Sequence, residues 1–184
     1  MTGTFVAVVG PSGVGKDSLL SFARARLGND LVVVRRAITR AATETSEDHD
    51  SVSVTDFLDA VAAGRFSLHW QAHGLYYGLP KSLETQLADG KLVIANFSRA
   101  VLSMAAERYE NMVVVEITAR PEVIAQRLQG RGRESAEEIE DRLKRSVNRL
   151  PVAAIEIDNS GDIAIAGERF VELLHGLMEK GELV

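Results

Sequence analysis

The chain has 184 residues, 46% of them hydrophobic, a net charge of −5 and no cysteine. That length suits one compact α/β domain with small inserted segments. The composition excludes a disulfide framework, thiolate metal sites and a cysteine nucleophile, and it fits a reducing compartment.

No apolar run approaches the ~20 residues of a membrane span, and the first residues show no charged segment with a cleavage site. The expectation is a cytoplasmic protein with no membrane partner. An acidic balance argues against nucleic acid. The arginines nevertheless cluster, at Arg35, Arg36 and Arg40, and again at Arg127, Arg131, Arg133, Arg142, Arg145 and Arg149. Local cationic clusters on an acidic chain fit a small, highly anionic substrate.

In chain order, an apolar β-type run, Phe5 to Val9, leads into Gly10-Pro11-Ser12-Gly13-Val14-Gly15-Lys16-Asp17, followed by an amphipathic helix over Ser18 to Leu27. Strand, glycine loop and helix are the context that a phosphate-binding loop requires. The glycines let successive N–H groups turn toward phosphate oxygens, and the helix adds its positive end. Lys16 is placed to reach β- and γ-phosphates. The reaction class expected from this loop is phosphoryl transfer from ATP with Mg²⁺. Where a Ser or Thr usually follows the lysine, this chain has Asp17 and then Ser18. Either Asp17 takes the metal role, because a carboxylate beside a polyphosphate is repelled unless a cation lies between them, or it complements the helix dipole. Asp17 and Ser18 are the metal candidates.

Further strands are expected at Leu31 to Val34, Leu92 to Ala95, Met112 to Ile117 and Ala153 to Ile157, each short and nearly continuously apolar, as strands buried on both faces are. Helices are expected at Thr55 to Ala63 with a Thr cap, at Pro80 to Ala88 with proline in its first turn, and at Ala100 to Tyr109, Pro121 to Gln129, Ala136 to Asn148 and Ile163 to Lys180. The alternation predicts a three-layer α/β/α fold with a parallel core sheet, its ligands at the carboxyl ends of the strands. The core is expected at 1–35 and 91–184. A substrate-binding insertion is expected at about 36–90, with short strands around Arg65 to Gln71 and Leu75 to Tyr77, and a lid at about 130–145.

With this layout the chain resembles the guanylate kinase-like group of nucleoside monophosphate kinases along nearly its whole length. The matching segments are the phosphate loop, Ile38-Thr39-Arg40, Val52-Ser53 with Phe57, Gly74-Leu75-Tyr76-Tyr77-Gly78, the lid pattern Arg127-Leu128 to Gly132 with Arg142-Leu143, and Asp158-Asn159-Ser160-Gly161. The resemblance implies that Arg40 holds the acceptor phosphate, that Arg131 and Arg142 close over the transferring phosphoryl, and that Asn159 lies near the adenine. Arg142 and Arg145 could equally pair with Glu138 and Asp141 along a helix face.

The departures are informative. No second arginine follows Thr39-Arg40. His49 replaces a tyrosine, His69 replaces the glutamate that reads guanine, and after the third core strand a pair of aspartates is replaced by Ala95-Asn96-Phe97-Ser98-Arg99. A carboxylate accepting two guanine N–H groups is not replaced by imidazole without losing that readout. A narrower group resembles the chain at these same points: the ribose 1,5-bisphosphate phosphokinases. They share the unusual Asp after the lysine, a Ser-Glu-x-His segment (Ser46 to His49), His-Gly-Leu-Tyr-Tyr-Gly (His73 to Gly78), Asn-x-Ser-Arg-Ala (Asn96 to Ala100) and Arg-Gly-Arg-Glu (Arg131 to Glu134).

That resemblance implies ATP-dependent phosphorylation of a sugar bisphosphate, with a nucleoside monophosphate kinase as the alternative. It makes Arg40, His49, His69, Tyr76 and Tyr77 the candidates for the acceptor pocket. Asn96 and Arg99, beside Ser98, either touch substrate or cap the next helix. Trp70 is expected in the core. A third reading, a domain that has lost catalysis and binds proteins, is opposed by the intact Gly10, Gly15 and Lys16. The oligomeric state, monomer or homodimer, is not legible in the sequence.

Overall fold

The computed structural model describes residues 3–40, 48–131 and 150–181. A five-stranded parallel sheet forms the centre, in the order β2-β7-β1-β8-β9. Its strands are β1 (Thr4–Val9), β2 (Leu31–Val33), β7 (Leu92–Asn96), β8 (Met112–Thr118) and β9 (Ile155–Asp158). The apolar runs of β1 and β7 become strands because both faces are covered, whereas β9, at the sheet edge, is buried only at Ile157. On β1, Val6 and Val8 face a layer made by α1 (Lys16–Leu27), α5 (Pro121–Arg131) and α6 (Ile163–Gly181), where Leu19, Leu20, Ile124, Leu128, Phe170 and Leu174 are buried. Phe5, Ala7 and Val9 face the opposite layer, with Leu83 and Leu87 of α3 (Ser82–Ala88) and Leu102 and Ala105 of α4 (Leu102–Arg108).

A second, four-stranded sheet in the order β4-β3-β6-β5 lies between β2 and α3 in the chain. It comprises β3 (Ala37–Ile38), β4 (Asp50–Ser51), β5 (Phe66–Ala72) and β6 (Leu75–Pro80), with α2 (Val54–Ala62) between β4 and β5. The β5–β6 turn places His73 at φ 51° and Gly74 at φ 74°, the paired positive values of a tight hairpin turn. His73 is thereby a turn residue. Two helix starts differ from expectation. The cap of α2 is Ser53, whose Oγ accepts from Asp56 N at 3.0 Å, two residues ahead of the expected threonine. Pro80 is the last residue of β6, and α3 begins only at Ser82. A proline fits a strand end as well as a first helical turn, and the antiparallel pairing of Phe66 with Pro80 decides between them.

The second sheet is fastened to the central one twice. Trp70 stacks on Tyr77 at 5.4 Å and meets Phe97, whose ring lies edge-on to Phe5 of β1. The other fastening is polar. Ser67 Oγ donates to Glu84 Oε1 at 2.9 Å and lies 2.6 Å from the Tyr109 hydroxyl, while Arg108 donates to Glu84 and to Ser67. Burial pushes the Glu84 carboxyl up, but donation from Lys81, Arg108 and Ser67 outweighs it and holds the group at about 2. Burial raises the Tyr109 phenol.

Candidate active site

The glycine loop occupies the carboxyl end of β1, between β7 and β8. Gly15 sits at φ 101°, and a Cβ there would lie 2.5 Å from Asn159 Nδ2. At Gly10, φ is 150° and a Cβ would lie 2.4 Å from the Ile117 carbonyl oxygen. Both positions need glycine for backbone angle and for space. Lys16 folds back over the loop, its Nζ donating to Gly10 O at 2.8 Å and Pro11 O at 3.1 Å. The N-cap of α1 is Gly15, which offers no side-chain acceptor. The first-turn N–H groups therefore receive no side-chain cap from it, a polarity suited to an anion.

The far wall comes from the other end of the chain. Asn159, 1% exposed, donates through Nδ2 to Val14 O at 2.7 Å, and Arg127 Nη1 donates to the same carbonyl at 3.1 Å. Its backbone N–H donates to Thr118 O at 2.7 Å. The other side-chain atom, Oδ1, is buried with no hydrogen-bond partner among the described residues. A buried acceptor left open beside a phosphate loop fits a ligand that brings an N–H donor, as an aminopurine does.

On the near side, Asn96, the last residue of β7, donates through Nδ2 to Asp17 Oδ1 at 3.0 Å. Ser18 is exposed on α1. Arg99 Nη2 reaches Glu116 Oε1 of β8 at 2.6 Å. Asn96 and Arg99, expected either to touch substrate or to cap the next helix, make no side-chain cap in this structure. One binds Asp17, the other binds Glu116, and neither Ser98 nor its neighbours cap the following turn through a side chain.

The acceptor candidates are divided between places. Arg40 is half-buried and follows Thr39, whose Oγ1 accepts from Tyr76 N at 2.9 Å. His49 is buried behind it, with Nε2 at 3.4 Å from Arg40 O and 3.2 Å from Ser51 Oγ. Tyr76 and Tyr77 point to opposite faces of the second sheet, because side chains alternate along a strand. Tyr77 faces the core with Trp70, and the Arg36 guanidinium lies 5.3 Å from its ring. Tyr76 packs on Phe57 of α2 at 5.5 Å. His69 pairs in register with Gly78, is exposed, and shares the face of Tyr76. The structure does not gather His69, Tyr76 and Tyr77 into one pocket. Trp70 is core, as expected. Arg131 is the last residue of α5, and Arg142, with Arg133 and Arg145, lies outside the described residues. No group of three His, Cys, Asp or Glu able to hold a metal occurs among the described residues.

Three contributors escaped the sequence reading. Arg127 stood in an arginine cluster and at the head of the lid pattern, with no sign that it would reach the phosphate loop, and Glu116 was one polar residue in an apolar strand. Arg36 carried no signal that it would be buried against an aromatic ring.

A protein-family profile described as "AAA domain" matches residues 6–148. A ribose 1,5-bisphosphate phosphokinase PhnN of Brucella melitensis biotype 2 (strain ATCC 23457) is 50% identical over 182 residues, covering 97% of this chain and 95% of that protein. A second protein of that name, from Chelativorans sp. (strain BNC1), is 48% identical over 177 residues, covering 94% and 85%. Among solved structures, a guanylate kinase from Anaplasma phagocytophilum matches with a TM-score of 0.67 at 22% identity, covering 95% of this chain and 85% of that one. The last likeness shows the fold alone.

Proposed function

Because the chain belongs to the ribose 1,5-bisphosphate phosphokinase family, we propose that it transfers the γ-phosphoryl of ATP to the 1-phosphate of ribose 1,5-bisphosphate, giving 5-phosphoribosyl 1-diphosphate and ADP. The observation that carries this reading is identity of 50% over 97% of the chain, with Lys16 and its glycine loop intact at the carboxyl end of β1.

The acceptor oxygen belongs to a phosphate already ionised at neutral pH, so no strong general base is needed. A bond forms from that oxygen to the γ-phosphorus as the bond to the ADP oxygen breaks. What remains for the protein is positioning and charge stabilisation. In this reading Lys16 exchanges its loop carbonyls for β- and γ-phosphate oxygens. The loop N–H groups between Gly10 and Ser18, of which Pro11 has none, cradle the phosphates, and Asn159 Oδ1 accepts from the adenine amine. Asp17 holds Mg²⁺, directly or through water, and Ser18 stands beside it. When bound, the ion neutralises charge on the β- and γ-phosphates.

Arg40 is the acceptor-phosphate ligand, its planar fork suited to bidentate contact. Arg131 and Arg142 are assigned to the transferring phosphoryl on their sequence pattern. Tyr77, with Arg36 beside it, is packed into the core against Trp70, so the half-buried Tyr76 and the exposed His69 are the candidates that an acceptor can reach. The absence of cysteine and the use of ATP fit a cytoplasmic enzyme.

The test is a coupled ADP-release assay with Mg·ATP, comparing ribose 1,5-bisphosphate with GMP at equal concentration. Turnover with the sugar bisphosphate and little with GMP is expected. Efficient turnover of GMP would replace this reading with a nucleoside monophosphate kinase.

A further inference from the structure

Two polar residues separated by 79 positions meet at the mouth of the phosphate loop. Asp17 stands in the first turn of α1, directly after Lys16, and is partly buried. Asn96 ends β7, the strand beside β1, in register with Val8. Its amide nitrogen donates to Asp17 Oδ1 at 3.0 Å. As the last residue of β7, Asn96 has its backbone fixed by pairing with β1. Asp17 sits where a polyphosphate would bring several negative charges, and a carboxylate there is useful only when a cation is shared between them.

We propose that Asn96 is a positioning residue for Asp17: its amide holds the carboxylate in the orientation from which it takes up Mg²⁺ on the bound nucleotide. This rests on the reading that the loop binds Mg·ATP. The chemistry favours an amide at this place over its neighbours in type. A carboxylate at position 96 would set two like charges about 3 Å apart, and one of them would hold a proton or swing away. An apolar residue would leave Asp17 unheld on this side. An amide donates to the charge and adds none, so the pair keeps a single negative charge. It also brings a neutral carbonyl oxygen next to the carboxylate, the hard-oxygen environment that a hydrated Mg²⁺ accepts. The assignment moves Asn96 from the acceptor pocket to the metal side of the nucleotide.

The experiment is calorimetric titration of ADP into the full chain, with excess Mg²⁺ or with EDTA, for the wild type, Asn96→Ala, Asp17→Asn, the double variant Asp17→Asn with Asn96→Ala, and the exchange variant Asp17→Asn with Asn96→Asp. Mg²⁺ should tighten ADP binding by the wild type. Asn96→Ala should lose about tenfold of that Mg²⁺-dependent gain, the scale of a hydrogen bond to a charged group, with its affinity in EDTA unchanged. The double variant should bind no more weakly than Asp17→Asn alone, and the exchange variant should regain part of the gain, because an amide again faces a carboxylate. Full retention of the gain in Asn96→Ala, or losses that add in the double variant, would overturn the proposal. Should Asn96→Ala not fold, the exchange variant decides, since both its side chains keep their shape: no recovery over Asp17→Asn overturns the assignment. A wild type that binds no ADP overturns the ATP reading itself, and this proposal with it. A normal Mg²⁺ gain that ignores Asn96 overturns only this one.

Discussion

The side-chain amide of Asn159 donates to the carbonyl of Val14 at 2.7 Å, tying the end of β9 to the middle of the phosphate loop. The contact spans 145 positions in the chain and is buried. Asn159→Ala should therefore loosen the loop and remove the open acceptor at once. The expected result is a loss of about 1–3 kcal/mol in stability, from a buried carbonyl losing one of its two donors, and weaker ADP binding by about tenfold. Urea unfolding and calorimetry measure the two effects separately. Unchanged ADP affinity would mean that Asn159 takes no part in the nucleotide site.

The same contact makes Gly15 intolerant of a side chain. Gly15→Ala combines a positive φ of 101° with a Cβ 2.5 Å from Asn159 Nδ2. Gly64 makes the control, because its φ is 64° but a Cβ there meets nothing within 4 Å. Gly64→Ala should cost only backbone strain, about 1 kcal/mol, with nucleotide binding intact. Gly15→Ala should abolish ADP binding even where the protein still folds. Equal effects of the two substitutions on ADP binding would contradict the geometric account.

Stability toward acid should depend on Glu84. Its carboxyl is held at about 2, below the ordinary 4.5, by donation from Lys81, Arg108 and Ser67 against the opposing effect of burial. A depressed carboxyl contributes stability that is fully present above its unfolded value and is lost as pH falls toward its folded one. The window is therefore from about 4.5 down to about 2. Because the side chain is 27% exposed, the contribution is discounted to about 1–2 kcal/mol. Glu84→Gln should be less stable than the wild type at pH 7 and should show a flatter decline between pH 5 and pH 3. Urea unfolding at these three pH values checks both the sign and the window. Parallel declines for the two proteins would remove Glu84 from the account.

The central sheet was legible because its inner strands are apolar on both faces and the helices between them are periodic. Every core strand from Phe5 to Ile157 lies within two residues of its expected bounds. The second sheet was only half legible. β3 and β4 are two residues each, too short for any periodicity, and they exist through pairing with β6 and with each other. The phosphate loop was readable since its glycines follow from local backbone demands. The partners of its residues were not, because Asp17 with Asn96 and Val14 with Asn159 are brought together only by strand order, as Arg99 and Glu116 are beside them. Tyr76 and Tyr77 show the limit most plainly. Adjacent in a motif, they look like one pocket, yet strand alternation sends them to opposite faces.

His49 and Arg40 yield a prediction that separates support from contact. His49 is buried, and its Nε2 lies 3.4 Å from the Arg40 carbonyl and 3.2 Å from Ser51 Oγ. It thus lies against the backbone that presents Arg40. Arg40→Ala should remove a charged contact to the acceptor and raise its KM by about a hundredfold. His49→Ala should act in the same direction through the loosened backbone, raising the acceptor KM by about tenfold. In both variants the KM for ATP should stay within about twofold of the wild type, because the nucleotide side proposed above lies on β1, α1 and Asn159, away from this pair. In the double variant the loss should be no larger than that of Arg40→Ala, since a brace has nothing to hold once the guanidinium is gone. Steady-state kinetics on the four proteins test this directly. Additive losses would instead make His49 an independent contact to substrate, and a raised KM for ATP would place the pair on the nucleotide side.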